Sequence, residues 1–383
     1  MIQHILECER NSLLRTNQGY FLIFLIEFFI GLFFSPSKVL AFDGENFVTL
    51  KGFSDIGYVG EQAGGTNQFR LGNFDLLFSK EVDSKVSFLA ELCFEPEYQS
   101  GINQIQSDLE RIYIQYDIDP WVKFALGKFH TQLGYWNETF HHGAYLHTTV
   151  ARPQMLAFED HGGLLPIHSI GFEIRGNGLV GHSNLGYNIG LSNGRGSQKD
   201  QLPIFSDANR EKAFSGLIFY EVGIGMRLGS SFYFGPLPGG ASLSGNSLGF
   251  TSAPKGRETI FGVHLVYSSS SVEFLSETWS MKHTYSDPFP DSNILLFYSQ
   301  LGYHIELLTP YLRYELNLLD QPDAYLGAGN ASANPLTGNT RIYIAGVRYE
   351  LSQWSALKVE GDWRQVDGLS GIWTGYGNWS FTF

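Results

Sequence analysis

Beyond residue 41 the chain repeatedly alternates apolar and polar side chains over segments of about ten residues. Val86, Phe88, Ala90, Leu92 and Phe94 share one face of such a segment, with Lys85, Ser87, Glu91, Cys93 and Glu95 on the other. Leu312, Tyr314, Leu316 and Leu318 oppose Tyr311, Arg313, Glu315 and Asn317 in the same way. So do Leu357, Val359, Gly361 and Trp363 against Lys358, Glu360, Asp362 and Arg364. A period of two marks strands with one apolar face, and no helical period of comparable length competes with it. The pattern predicts sixteen strands, near residues 46–59, 68–79, 84–95, 109–118, 121–129, 168–176, 184–193, 213–221, 223–234, 258–268, 271–281, 293–304, 309–318, 341–351, 354–365 and 373–383.

The connections alternate too. Lys80 to Asp83, Ile118 to Pro120, Ser268 to Ser271 and Ser352-Gln353 read as tight turns, whereas 130–167, 194–212, 235–257 and 319–340 are long. Short turns on one side and long loops on the other is the asymmetry of a transmembrane antiparallel β-barrel, all-β and closed, and a soluble sandwich has no reason to show it. Ten residues at about 3.3 Å each, tilted near 40°, span about 25 Å, the height of the apolar band of such barrels. The chain stops at Trp379-Ser380-Phe381-Thr382-Phe383, an alternating aromatic strand resembling the terminal assembly signature of bacterial outer-membrane barrels. Tyr58, Trp121, Trp354 and Trp373 are expected at the two membrane interfaces. Closure removes every sheet edge, so residues 42–383 are expected to form one domain.

Composition agrees once it is read through the alternation. Charged residues make up 16% of the chain, against roughly 25% in soluble domains, and aromatics 15%. The mean hydropathy of −0.09 looks soluble, but a strand with one lipid face and one wet face also averages to near zero. With 25 basic and 38 acidic residues the net charge is −13, which excludes a nucleic-acid partner. Two cysteines, Cys8 and Cys93, supply neither a disulfide framework nor the usual thiolate metal site.

At the N-terminus, Tyr20 to Phe34 reads YFLIFLIEFFIGLFF, preceded by Arg10 and Arg15 and followed by Val39-Leu40-Ala41. Fifteen residues fall short of the about 20 that span a bilayer, and the small residue at Ala41 suits a signal peptidase. Residues 1–41 therefore read as a signal peptide cleaved near Ala41. Glu7 and Glu9 are atypical of such leaders, as a later translation start would explain.

The third long loop, 130–167, together with His168 at its end, holds six of the eleven histidines: His130, His141, His142, His147, His161 and His168. It also carries Tyr135, Trp136, Phe140, Tyr145, Leu146, Met155, Leu156 and Phe158. So apolar a loop must pack on something, and folding inward against the lumen wall is the economical arrangement. Immediately before it runs Leu126-Gly127-Lys128-Phe129-His130-Thr131-Gln132-Leu133-Gly134. This stretch resembles the strand-to-loop motif of the bacterial porins, specifically the phosphate-selective porins O and P, with Gln132 standing where proline is usual. The resemblance implies a sixteen-stranded barrel, usually a trimer, whose third loop narrows the pore.

That family's phosphate selectivity implies a basic lumen, and parity tests it. Opposite the apolar stripe fall ten basic residues: Lys51, Lys85, Arg111, Lys123, Arg175, Arg227, Arg313, Arg348, Lys358 and Arg364. Ten acidic ones share that face: Asp55, Glu91, Glu95, Asp117, Glu173, Glu273, Glu277, Glu315, Glu360 and Asp362. A balanced wall leaves the negative charge to loops and turns, so the channel is expected to favour cations slightly or discriminate little.

These readings converge on an outer-membrane porin for passive diffusion of small polar or ionic solutes. Its expected constriction sets Lys85, Arg111, Lys123 and Arg348 on the wall against Glu138, His141, His142, Glu159 and Asp160 on the loop. The expected surroundings are outer-membrane lipid and lipopolysaccharide, with two further copies of the chain in a homotrimer. No cofactor is expected. Glu138, His141, His142 and His147 have donor atoms for zinc or copper but not the spacing of a closed site, so no metal is expected either. Histidines in the loop would charge near pH 6. Long loops alone leave a surface adhesin or structural barrel open. An outer-membrane enzyme is weaker, because His147, His264 and His283 sit near many serines without diagnostic spacing.

Overall fold

In the computed structural model the described residues are 47–383 except 63–64, 66, 100–101, 141–142, 159–162, 198–209, 224, 241–251, 253 and 327–337. Sixteen strands form among them. The first eight are β1 (Thr49–Glu61), β2 (Asn67–Glu81), β3 (Val86–Gln99), β4 (Ile102–Asp119), β5 (Val122–His130), β6 (His168–Val180), β7 (Ser183–Ser192) and β8 (Ala213–Val222). The rest are β9 (Met226–Leu237), β10 (Gly256–Ser268), β11 (Val272–Tyr285), β12 (Ser292–Tyr303), β13 (Leu308–Leu319), β14 (Thr340–Ser352), β15 (Ser355–Val366) and β16 (Ile372–Thr382). Each pairs antiparallel with its neighbours in sequence, and β16 pairs with β1 to close the barrel. The seam continues past β16, where Phe383 and Gly52 exchange backbone hydrogen bonds of 3.0 and 2.9 Å.

Side-chain parity falls as the alternation predicts. On β15 the apolar Val359 is 63% exposed, while its neighbours Lys358 and Glu360 are 1% and 2% exposed. Leu312 and Arg313 on β13 divide in the same way. Apolar outside and polar inside is the inverse of a soluble core, and it suits a barrel whose outer solvent is lipid. Trp121 and Trp354 lie exposed in short turns, and Tyr58 and Trp373 lie exposed at the loop ends of β1 and β16, so aromatics mark both rims.

One pair of strands runs further than expected. The expected strands stop near 95 and resume near 109, yet β3 and β4 stay paired out to Gln99↔Ile102. Above the apolar band both faces of a strand are wet, so the period of two fades while the backbone ladder continues.

Candidate functional site

The path into the loop between β5 and β6 requires two glycines, one within β5 and one in the loop itself. Gly127 has φ +146°, and a Cβ there would lie 2.0 Å from the Ile112 carbonyl oxygen. Gly134 has φ +73°, and a Cβ there would lie 2.0 Å from a Glu277 carboxylate oxygen. Gly134 opens a short helix, α1 (Gly134–Thr139), that presses against the opposite wall. Leu133, Trp136, Met155, Leu156, Leu164, Leu165 and Ile167 are all buried, in one cluster with Tyr233, Ile260, Trp279, Met281, Ile294, Leu296 and Tyr298. Those partners come from the inner faces of β9 to β12, which are apolar where the loop docks. This is why β12 reads apolar on both faces: Leu295 and Leu301 point outward, while Ile294 and Leu296 receive the loop.

Polar anchors continue the attachment around the wall. Glu277 on β11 accepts the Trp136 N–H at 2.7 Å, and Glu273 accepts the Thr148 hydroxyl at 2.9 Å. Glu315 accepts the Gln154 N–H and Glu360 the Val150 N–H, at 2.7 and 2.8 Å. Cations hold the loop's carbonyls. Arg313 donates to Ala151 O at 2.8 Å, and Arg348 to Tyr145 O and His147 O at 2.7 and 2.8 Å. Lys358 donates to His147 O and Thr149 O at 2.7 and 2.9 Å, and also to Ala144 O. An irregular segment inside a barrel must satisfy its backbone polar groups, and charge-assisted bonds to the wall do so strongly.

A cavity of about 270 Å³ lies on the opposite side, against β4 to β8. Arg111, Lys123 and Arg175 line it together with Glu138, Glu173, Tyr113, Gln132, Tyr187, Asn188 and Phe219. Each cation has a carboxylate partner: Arg111 bonds Glu91 at 2.5 Å, Arg175 bonds Glu173 at 3.1 Å, and Lys123 stands 3.4 Å from Asp117. From the loop, Glu138 pairs with Arg227, whose guanidinium lies 3.7 Å from the Phe219 ring centre. Gln132, which replaces the motif's proline, donates to Glu173 at 2.7 Å and accepts from Ser215 at 2.5 Å, joining the loop's start to β6 and β8.

The expected site residues therefore divide. Arg111, Lys123 and Glu138 meet at the cavity. Arg348 lies beneath the loop as an anchor. Lys85 leaves the wall: Asp83 accepts the Lys85 and Val86 N–H groups in a tight turn, and the Lys85 ammonium lies 6.0 Å from the ring centre of the outward-facing Tyr116. His141, His142, Glu159 and Asp160 fall outside the described residues. Parity missed Glu110, which faces inward as the extra residue of a bulge between Glu91↔Arg111 and Leu92↔Leu109. It also passes over Asp75, Lys128 and Glu258, which are buried.

Two loop groups depart from their ordinary ionisation. Burial raises the Glu138 carboxyl above the usual carboxylate range, with Arg227 opposing. Burial, reinforced by Lys358, Arg152 and Arg313, drives His147 well below the usual imidazole range, so it stays neutral and does not charge near pH 6.

A third assembly ties loops together at the long-loop end. Arg195, in the loop after β7, bonds Glu258 on β10 at 2.9 Å and also the Leu164 carbonyl. Glu258 and Asp323 take the two nitrogens of His283 at 3.0 and 2.8 Å. Asp323 also accepts the N–H groups of Tyr325 and Leu326 at 3.0 and 2.7 Å.

No family model matches this chain, and no curated protein matches it. Solved structures do. The outer-membrane-expressed OmpT of Vibrio cholerae superimposes with a TM-score of 0.59 at 10% identity, over 90% of this chain and all of that one. An anion-selective porin from Comamonas acidovorans gives 0.58 at 11% identity, over 88% and 100%. The outer-membrane channel DcaP of Acinetobacter baumannii gives 0.55 at 12% identity, over 89% and 98%. At such identities the likeness is one of fold. The closed sixteen-stranded barrel is that of porins and channels, and none of these three is described as a phosphate-selective porin.

Proposed function

We propose that this protein is an outer-membrane porin through which small polar or ionic solutes diffuse passively. The observation that carries the reading is the division of the lumen. One side, β9 to β15, is occupied by the docked loop; the other, β4 to β8, keeps a charged and aromatic cavity. The cavity is then the narrow part of the path, filtering by size and by the near-balance of Arg111, Lys123 and Arg175 against Glu138 and Glu173. Such balance supports weak selectivity, tilted to cations by the net charge of −13. No step of bond making or breaking belongs to this reading.

In the same reading, residues 1–41 direct export and are removed near Ala41, and the barrel sits among lipid and lipopolysaccharide as a homotrimer. OmpT of Vibrio cholerae is described in a trimer form, which supports that assembly. The test is planar-bilayer conductance of the purified protein under a salt gradient, with swelling of liposomes in a series of sugars. Stepwise conductance with a reversal potential displaced modestly toward cations is expected. A silent barrel would favour the adhesin or structural reading, and strong phosphate selectivity would overturn the weak filter.

A further inference from the structure

Cys93 and Glu95 are two residues apart on β3 and so share its inner face, and the β4 bulge brings Glu110 beside them. The thiol and the two carboxylates are all buried, and one donor atom from each lies within 4.8 Å of the other two. We propose that Cys93, Glu95 and Glu110 form a binding site for one borderline divalent cation, Zn²⁺ by the chemistry of its donors.

Three features carry this. The first is reach. The centre of such a triangle lies at most about 2.8 Å from each donor (4.8 Å divided by √3), so small side-chain rotations bring all three to the roughly 2.0 to 2.3 Å of Zn–O and Zn–S bonds. The second is donor type. One thiolate with two carboxylates suits a borderline ion better than a hard one such as Mg²⁺, which takes oxygen alone. Three protein donors also leave a fourth position for water or a solute.

The third is support from outside the donor set. Asn73 on β2 donates to Glu95 at 2.8 Å, and His168 on β6 meets the Oε2 atom of Glu110 at 2.8 Å. Outer partners of this kind orient metal-binding carboxylates. Lys128 is the competing positive charge, 3.9 Å from Glu110 and 3.5 Å from Asp108, so a bound cation would shift it toward Asp108. Binding releases the thiol proton to solvent as the S–metal bond forms.

The experiment is a titration of the processed, EDTA-stripped protein in detergent, first with Co²⁺ and then with Zn²⁺. One Co²⁺ per chain should bind with a near-ultraviolet thiolate-to-cobalt absorption band that Zn²⁺ abolishes. Cys93→Ser should lose the band, and His168→Ala should keep it while weakening Zn²⁺ binding about 10- to 100-fold. Heat-modifiable migration on gels checks that each variant has folded, and the wild-type titration is decisive even where a variant fails. A wild-type protein with no thiolate band under excess Co²⁺ would overturn the proposal. So would undiminished binding in Cys93→Ser, which would assign the metal to the loop histidines instead.

Discussion

Glu277 and Trp136 meet across the lumen: the carboxylate of a barrel strand accepts the backbone N–H of the first turn of the loop helix at 2.7 Å, and the Tyr298 hydroxyl donates to the same oxygen at 3.0 Å. Both residues are buried, so neither group of the bond has ready access to water. Glu277→Leu should leave the Trp136 N–H without its acceptor, at a cost of about 1–3 kcal/mol to the docked loop. The expected outcome is higher and noisier single-channel conductance with the barrel intact. An unchanged current trace would show that the apolar dock alone holds α1.

Gly134 lies against the Glu277 carboxylate. Gly134→Ala would combine a left-handed φ of +73° with a Cβ 2.0 Å from the Glu277 carboxylate. The conformational strain alone is of order 1–3 kcal/mol. Limited proteolysis should cut the 131–167 segment faster than in the wild type, while Gly181→Ala, whose Cβ meets nothing within 4 Å, should leave that segment as resistant as before.

Charges of both signs line the cavity, so removing a negative one and removing a positive one should move ion selectivity in opposite directions. Glu138→Gln removes the negative charge the loop offers and should shift the reversal potential toward anions, whereas Arg111→Gln should shift it toward cations. Acidification should mimic the first change. Because burial raises the Glu138 carboxyl, it takes up its proton at a higher pH than an ordinary glutamate, and the tilt to cations should fade as pH falls toward that range. A selectivity that falls with pH equally in wild type and Glu138→Gln would place the titrating group elsewhere.

Asp323 predicts a separate acid effect at the long-loop end. Burial by itself would raise its pKa, but the His283 ring and the hydrogen bonds it accepts outweigh that and lower it from 3.8 to about 2. A carboxylate depressed in the folded state stabilises it fully above its unfolded pKa, and that stabilisation is lost as pH falls through the folded value. The window is therefore about pH 4 down to 2, and the contribution about 2 kcal/mol. The hydrogen-exchange protection factors of the Tyr325 and Leu326 amides, both bonded to Asp323, should fall through that window. In Asp323→Asn they should already be low at neutral pH.

Much of this protein is determined by its sequence alone. Sixteen strands, their inward and outward faces, the short and long connections and the inward fold of an apolar loop follow from a period of two and from turn residues, because these are local consequences of pleating and of a two-sided solvent. Arg111, Lys123 and Glu138 were legible as lumen residues for the same reason. Tertiary structure alone decided what the other charges do. Whether Arg348 or Lys358 faces open water or a loop carbonyl depends on which arc of the ring the loop meets, a relationship between residues some two hundred positions apart. Lys85 left the wall because a turn intervened, and Glu110 joined it because a bulge shifted the register by one residue. Parity assigns a side chain to a face; only closure of the ring and docking of the loop assign it a partner.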